Sequence, residues 1–338
     1  MGYIRKAIAV ATLTTVLGAS GTVRAGGPML EEAVGLPGLV MYLESGAVGM
    51  VLGAVQGEAE IVVGYGDTAA GSGKDPDGKS LVRLGSLSKA FVGEVLAGLV
   101  AEGRVALTAQ LQEFAPPGLE LPKRDGRAIT LLDLATHTAA LPRELPGAPT
   151  AGGAPFAAPT MDDRFAWLAS YTLPWAPGSV AAYSNTGFDL LAAGLATASG
   201  TPYPDLLREL VTQPLGMVDT TLQPSAEQCA RLMTGYGIPG ASAEPCVPTT
   251  EIAGSGGVYS TASDMVRWLR HQLAPKDERA RATLALAHAP YRQRQALDAA
   301  IGFDEAGPMQ GIGLAWLIMT PEGDRPLIVQ KTGALPAS

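Results

Sequence analysis

Short apolar runs near both ends of the chain, with helical periods between them, set its outline. Met50-Val51-Leu52-Gly53-Ala54-Val55 and Glu60-Ile61-Val62-Val63 read as strands, and so do Gly313 to Ile318 and Leu327 to Val329. Between them the spacing turns helical. From Ser86 the apolar residues Leu87, Phe91, Val95, Leu96, Leu99 and Val100 recur as on one helix, until Glu102-Gly103 ends the run. Phe188 to Leu191, Asp205 to Leu210 and Asp264 to Leu269 repeat the pattern, and Thr261 with Asp264 predicts a capping box before the last. The pattern predicts an α/β (α+β) protein: one antiparallel sheet built from both chain ends, flanked by helices, with a mostly helical insert over roughly 104–250 in a single domain spanning 26–338. Gly64-Tyr65-Gly66 and the residues as far as Gly78 read as a hairpin end and exposed loop, and Pro146 to Pro159 as a loop near the cleft mouth.

The first residues add a destination. Met1 to Ala25 has Arg5 and Lys6, a largely apolar run from Ala7 to Ala19, and Val23-Arg24-Ala25. This reads as a signal peptide over 1–25 and hence an exported, periplasmic protein. No later stretch is apolar enough to span a bilayer, so an uncleaved leader is the route to peripheral membrane association. The 338 residues carry a formal net charge of −8, which argues against nucleic acid as a partner. Oligomeric state is not encoded in any pattern here.

Several chemistries are excluded by what accompanies them. The histidines are His137, His271 and His288, and no Gly-x-Ser-x-Gly elbow is present to supply a serine for a Ser-His-Asp triad. No His-Glu-x-x-His or Cys-x-x-Cys occurs, so neither a metal nor another cofactor is expected. His271 and His288 fall in helix-like stretches and are predicted to face solvent, while His137 is read as structural, bracing a turn with Thr136 and Thr138. Gly73 to Ser80 matches a phosphate-loop pattern, yet an extended Leu81-Val82-Arg83-Leu84 follows it and Asp75 and Asp77 would repel phosphate. It is read as an exposed turn. Cys229 and Cys246, the two cysteines, read either as a disulfide or as two buried thiols.

Three strings carry the candidate chemistry: Ser86-Leu87-Ser88-Lys89, Tyr183-Ser184-Asn185 and Lys331-Thr332-Gly333. In that order they form a serine acyl-transfer site whose base is not histidine. A serine hydroxyl needs a proton acceptor within hydrogen-bond reach, and on a helix Lys89 lies on the same face as Ser86. An ammonium is no base, so the site must bury Lys89 or crowd it with a second cation such as Lys331. Tyr183, a phenol flanked by two lysines, is the alternative acceptor, and the residues leave the two open. At a helix N-terminus the Ser86 backbone N–H and the helix dipole favour developing negative charge. Lys331 and Thr332 can hold a carboxylate, and Gly333 lets a substrate backbone lie close.

With Ile129 to Thr138, Leu141-Pro142-Arg143, Ala176 to Ser179, Pro214 to Met217, Gly254 to Thr261 and Gly311 to Trp316, these strings resemble the serine β-lactamase and penicillin-binding-protein superfamily. The similarity is greatest to its class C branch and the D-alanyl-D-alanine carboxypeptidase/endopeptidases there, over about residue 36 to Gly333. The resemblance implies Ser86 as acyl-accepting nucleophile, Lys89 and Tyr183 as the proton-shuttling pair, and Asn185 as ligand for Lys89 and the substrate amide. It implies Lys331 and Thr332 as carboxylate binders and the N–H groups of Ser86 and Ala334 as the oxyanion hole. It favours a Cys229–Cys246 bridge. Peptidoglycan stem peptides and β-lactams are the implied partners of an exported serine DD-peptidase. The alternatives are a class C-like β-lactamase, an esterase of the same fold, or an inactive remnant. The last arises because the family continues past Lys-Thr-Gly through further strands and a helix, whereas this sequence ends at Ser338; the fold is therefore expected to be truncated there.

Overall fold

The computed structural model describes residues 27–146, 158–235, 245–303 and 309–334. The predicted leader, residues 147–157 of the predicted loop and everything after Ala334 lie outside the described residues.

A helix not foreseen from periodicity, α1 (Gly27–Ser45), comes first, because Gly35, Pro37 and Gly38 interrupt its pattern. Packing sustains it: Leu30 and Val34 cluster with Leu52 and Ala54, and Tyr65 Oη donates to the Gly35 carbonyl at 2.9 Å. Strands β1 (Gly49–Gln56) and β2 (Ala59–Gly66) form an antiparallel hairpin in full register, and β3 (Leu81–Arg83) follows the loop that includes Gly73 to Ser80. A tight turn over Gly85–Leu87 leads into α2 (Ser88–Ala101). The middle of the chain holds a small hairpin of β4 (Lys123–Arg124) and β5 (Arg127–Ala128), then α3 (Leu131–Ala135), α4 (Met161–Ser170), β6 (Val180–Ala182), α5 (Asn185–Ser199), α6 (Tyr203–Leu207) and α7 (Ala226–Cys229). The last third runs through β7 (Tyr259–Thr261), α8 (Ala262–Leu273), α9 (Glu278–His288), β8 (Arg292–Gln293), β9 (Ala299–Ile301), β10 (Gly311–Ile312), β11 (Leu317–Met319) and β12 (Ile328–Gln330).

The mixed α/β class is as expected, and both chain ends supply antiparallel strands flanked by helices. Among the described residues, however, these strands belong to separately hydrogen-bonded sheets. β1–β2 stands as a pair, while β12, β11, β10 and β8 form a four-stranded sheet in that order. Local alternation specifies which neighbours make a hairpin but not which hairpins join. Gly313 to Ile318 is likewise not one strand: Gly313 N–H donates to the Trp316 carbonyl at 2.8 Å, making a turn between β10 and β11.

Helix α2 is the core of the molecule. Phe91, Val92, Val95, Leu96 and Leu99 are wholly buried, and α5 and α9 both pack on it. Phe91 stacks on Trp268 with ring centroids 4.5 Å apart. Each such side chain contributes about 1.5–3 kcal/mol through its burial. A helix buried on all sides is held by its surroundings, and that rigidity fixes whatever projects from its first turn.

Two smaller expectations change in detail, and the bridge that the resemblance favours is present. Thr261 caps α8, accepting from Asp264 N–H at 3.3 Å, but the Asp264 carboxylate turns away to Asp219 N–H, Thr220 and Arg267, so only half of a capping box forms. His271 and His288 do not face solvent. Buried Glu94 on α2 draws His271 inward to 3.1 Å, and His288 packs edge-on against Trp316, where burial lowers its pKa to about 4. Cys229 and Cys246 form a disulfide.

Replacing both cysteines by serine is expected to lower the unfolding free energy by about 3 kcal/mol, measured by denaturant titration at equal protein concentration. An unchanged midpoint would show that the bridge does not stabilise this fold.

Candidate active site

Ser86 sits in the turn that opens α2, and Lys89 is the helix's second residue. The Lys89 side chain has no exposed surface. Its Nζ lies 3.1 Å from Ser86 Oγ, 2.6 Å from Asn185 Oδ1 and 2.6 Å from the Ser255 carbonyl oxygen. Burial lowers its pKa to about 7, with Arg143 acting in the same direction and Asp189 and Glu144 acting against it.

This geometry says more than that three acceptors surround an amine. A neutral amine has two N–H bonds and one lone pair, and neither Asn185 Oδ1 nor the Ser255 carbonyl can donate a hydrogen bond. The two N–H bonds must therefore point at those oxygens, which leaves the lone pair for the Ser86 hydroxyl. The Asn185 amide is oriented for this because its Nδ2 donates to Glu144 Oε1. The Ser255 carbonyl was not identified from the sequence. Its only signal was the glycine-rich Gly254-Ser255-Gly256-Gly257, where a backbone group rather than a side chain does the work.

Tyr183 precedes α5 and is nearly buried. Lys89 Nζ, Arg143 Cζ and Lys331 Nζ lie 5.0, 4.9 and 5.6 Å from its ring centroid. His137 stacks on Tyr183, with ring centroids 4.4 Å apart, and its Nδ1 accepts the Ser184 N–H at 3.0 Å. Burial and the neighbouring cations hold His137 well below its ordinary pKa. The turn at Thr136 to Thr138 is braced by its own hydroxyls and Asp133, so the imidazole instead supports the Tyr183-Ser184-Asn185 string. Ser184 caps α5, accepting from Gly187 N–H at 2.9 Å, and this places Asn185 on the first turn, facing Lys89.

The third string follows β12 directly. Lys331 is buried, and desolvation lowers its pKa to about 8 against the opposing effect of Tyr183, with which it hydrogen-bonds. Thr332 is half-buried beside it. Gly333 lies on the turn that carries Ser86: a Cβ there would stand 2.2 Å from the Leu84 carbonyl oxygen and 3.1 Å from Leu87 N. The Ala334 carbonyl in turn lies against Gly85. The backbones bearing the Ser86 and Ala334 N–H groups are thereby in contact. Ser86, Lys89, Tyr183, Asn185, Lys331, Thr332, Gly333 and Ala334 thus meet in one place, and Cys229–Cys246 is structural. Among the described residues no cluster of metal-ligating side chains occurs.

Residues 29–338 match the β-lactamase family. The chain belongs to that family. It is 43% identical over 293 residues to the D-alanyl-D-alanine-carboxypeptidase/endopeptidase AmpH of Escherichia coli K12, covering 87% of this chain and 75% of that protein. Among solved structures, a β-lactamase/D-alanine carboxypeptidase from Yersinia pestis complexed with citrate is 41% identical with a TM-score of 0.79, covering 87% of this chain and 82% of that one. A class C β-lactamase from Rhodobacter sphaeroides shares the fold at 21% identity and a TM-score of 0.69, covering 90% of this chain and 84% of that one.

Gly333→Ala tests the contact between the third string and the turn that carries Ser86. The added methyl cannot fit against the Leu84 carbonyl without moving the strand end, so acylation by a penicillin is expected to slow at least about a hundredfold. Circular dichroism should stay native; acylation at the parental rate would show that this contact does not set the site.

Proposed function

We propose that the protein is a serine DD-peptidase that cleaves D-alanyl-D-alanine peptides of peptidoglycan through an acyl-enzyme on Ser86, and that penicillins acylate the same serine. The observation that carries this reading is the Lys89 amine, sealed from water and aimed at Ser86 Oγ. Likeness to AmpH supports the substrate class.

On this reading the reaction is an ordinary two-step acyl transfer. Ser86 Oγ attacks the carbonyl carbon of the penultimate D-alanine as its proton passes to Lys89 Nζ. The developing oxyanion is received by the N–H groups of Ser86 and Ala334. Collapse breaks the peptide bond, and the leaving D-alanine nitrogen takes up a proton through Lys89 and Tyr183. Water then attacks the ester, loses a proton to the same pair, and releases the acid, restoring the Ser86 hydroxyl. Lys331, beside Tyr183, is placed to meet the terminal carboxylate with Thr332. A pocket of about 390 Å³ beside Tyr183, walled by Leu141, Arg143, Tyr171, Trp175 and Ile301, offers room for the rest of the peptide. The disulfide supports maturation in an oxidising compartment such as the periplasm.

Intact mass after incubation with a penicillin is expected to show one adduct per chain, absent in Ser86→Ala, and D-alanine is expected to be released from a D-alanyl-D-alanine-ended peptide. A long-lived adduct favours the peptidase, whereas rapid penicillin hydrolysis would favour a β-lactamase. No adduct with folded protein would contradict the reading. Because Lys89 accepts a proton only when neutral, activity should fall as pH drops through about 7, the value to which burial brings it. A rate flat from pH 5 to 8 would remove Lys89 from the role.

A further inference from the structure

One buried charge beside the site has no part in the steps above. Asp189 stands one turn after Asn185 on α5, on the same face, and is almost wholly buried. Its Oδ1 accepts the Ser255 N–H at 2.8 Å, and its Oδ2 pairs with Arg164 Nη2 at 3.2 Å. Arg164 is itself buried, projects from α4, and donates through Nη1 to the Pro159 carbonyl. Gly254 brings the Ser255 segment into reach: a Cβ there would stand 2.0 Å from the Phe188 carbonyl oxygen, so only glycine lets this backbone lie flat on α5. The Ser255 residue pinned in this way by its N–H is the one whose carbonyl takes a proton of Lys89.

We propose that Asp189, held by Arg164, is a positioning residue that keeps the Ser255 carbonyl on Lys89 and whose charge sets the pH above which Lys89 takes the Ser86 proton. This rests on the acyl-transfer reading of the site. The charged and titratable groups facing Lys89 are Asp189 from α5, Tyr183 before it, His137, Arg143 and Glu144 from the segment after α3, and Lys331 after β12. Arg143 and Glu144 are exposed, so water screens them. Asp189 is the buried anion of the set, and it favours the charged form of Lys89. Burial raises its own pKa to about 6, while Arg164 and the Ser255 N–H favour its ionised form.

The role separates into two parts that two substitutions distinguish. Asp189→Asn keeps an oxygen for the Ser255 N–H but removes the charge. The acid limb of the penicillin acylation rate should move about one pH unit lower, with the plateau rate within about tenfold of the parent. Asp189→Ala removes the anchor, and its plateau rate should fall about a hundredfold. A purely structural residue would lower rates without moving the limb. An Asp189→Asn profile superimposed on the parent's, or parental acylation by Asp189→Ala, would overturn the proposal. If the unpaired Arg164 prevents Asp189→Asn from folding, Arg164→Met with Asp189→Asn removes both charges and keeps the oxygen. A smaller downward shift is expected there, because the Arg164 cation that partly offset the carboxylate is gone as well, and an unmoved limb would again overturn it. The parental chain's own adduct reports separately whether the acyl-transfer reading holds.

Discussion

An amine with no path to water must find all of its partners inside the protein, and Lys89 is such an amine. As an ammonium it is opposed by the low polarity around it; as a neutral amine it needs two acceptors and one donor. The site supplies two oxygens that can only accept and one hydroxyl that can donate. In the proposed reaction, that choice of partners lets Lys89 act as a base toward Ser86. It also explains why neighbours that touch no substrate are specified. Glu144 turns the Asn185 amide, His137 holds the Ser184 N–H, and Ser184 caps the helix that presents Asn185.

The partners come from distant parts of the chain. Asn185 is 96 residues from Lys89 and Ser255 is 166, so the amine is correctly surrounded only when the whole core has closed. The all-round burial of α2 makes that closure rigid. Lys89 on its first turn and Ser86 in the turn just before it are fixed to a helix gripped by α5 and α9, and the chain after β12 docks on that preceding turn through Gly333. Fold and site are therefore coupled: a helix at the centre of the core also positions Ser86 and Lys89.

Much of this was legible because it is local. The helix from Ser86, the hairpin of β1 and β2 and the helical runs near Phe188 and Asp264 each follow from spacing within one segment. The three strings could be read because each keeps its residues within a single turn or strand end. What escaped was non-local or backbone-borne. The Ser255 carbonyl leaves no side-chain signature, α1 relies on Leu52 and Tyr65 rather than on its own pattern, and the inward turn of His271 depends on a buried Glu94 in another helix. A charge on a helix is ordinarily an outward face, and nothing in the sequence around Glu94 says otherwise.

The claim on which the rest turns is that Lys89 is neutral near physiological pH. Lysine labelled with 13C at Cε, with Lys89 assigned from a Lys89→Met variant, would let its titration be followed directly by NMR. The account predicts a midpoint near pH 7, set by burial. A Lys89 that stays charged beyond pH 9 would contradict it and would leave Tyr183 as the group that takes the Ser86 proton.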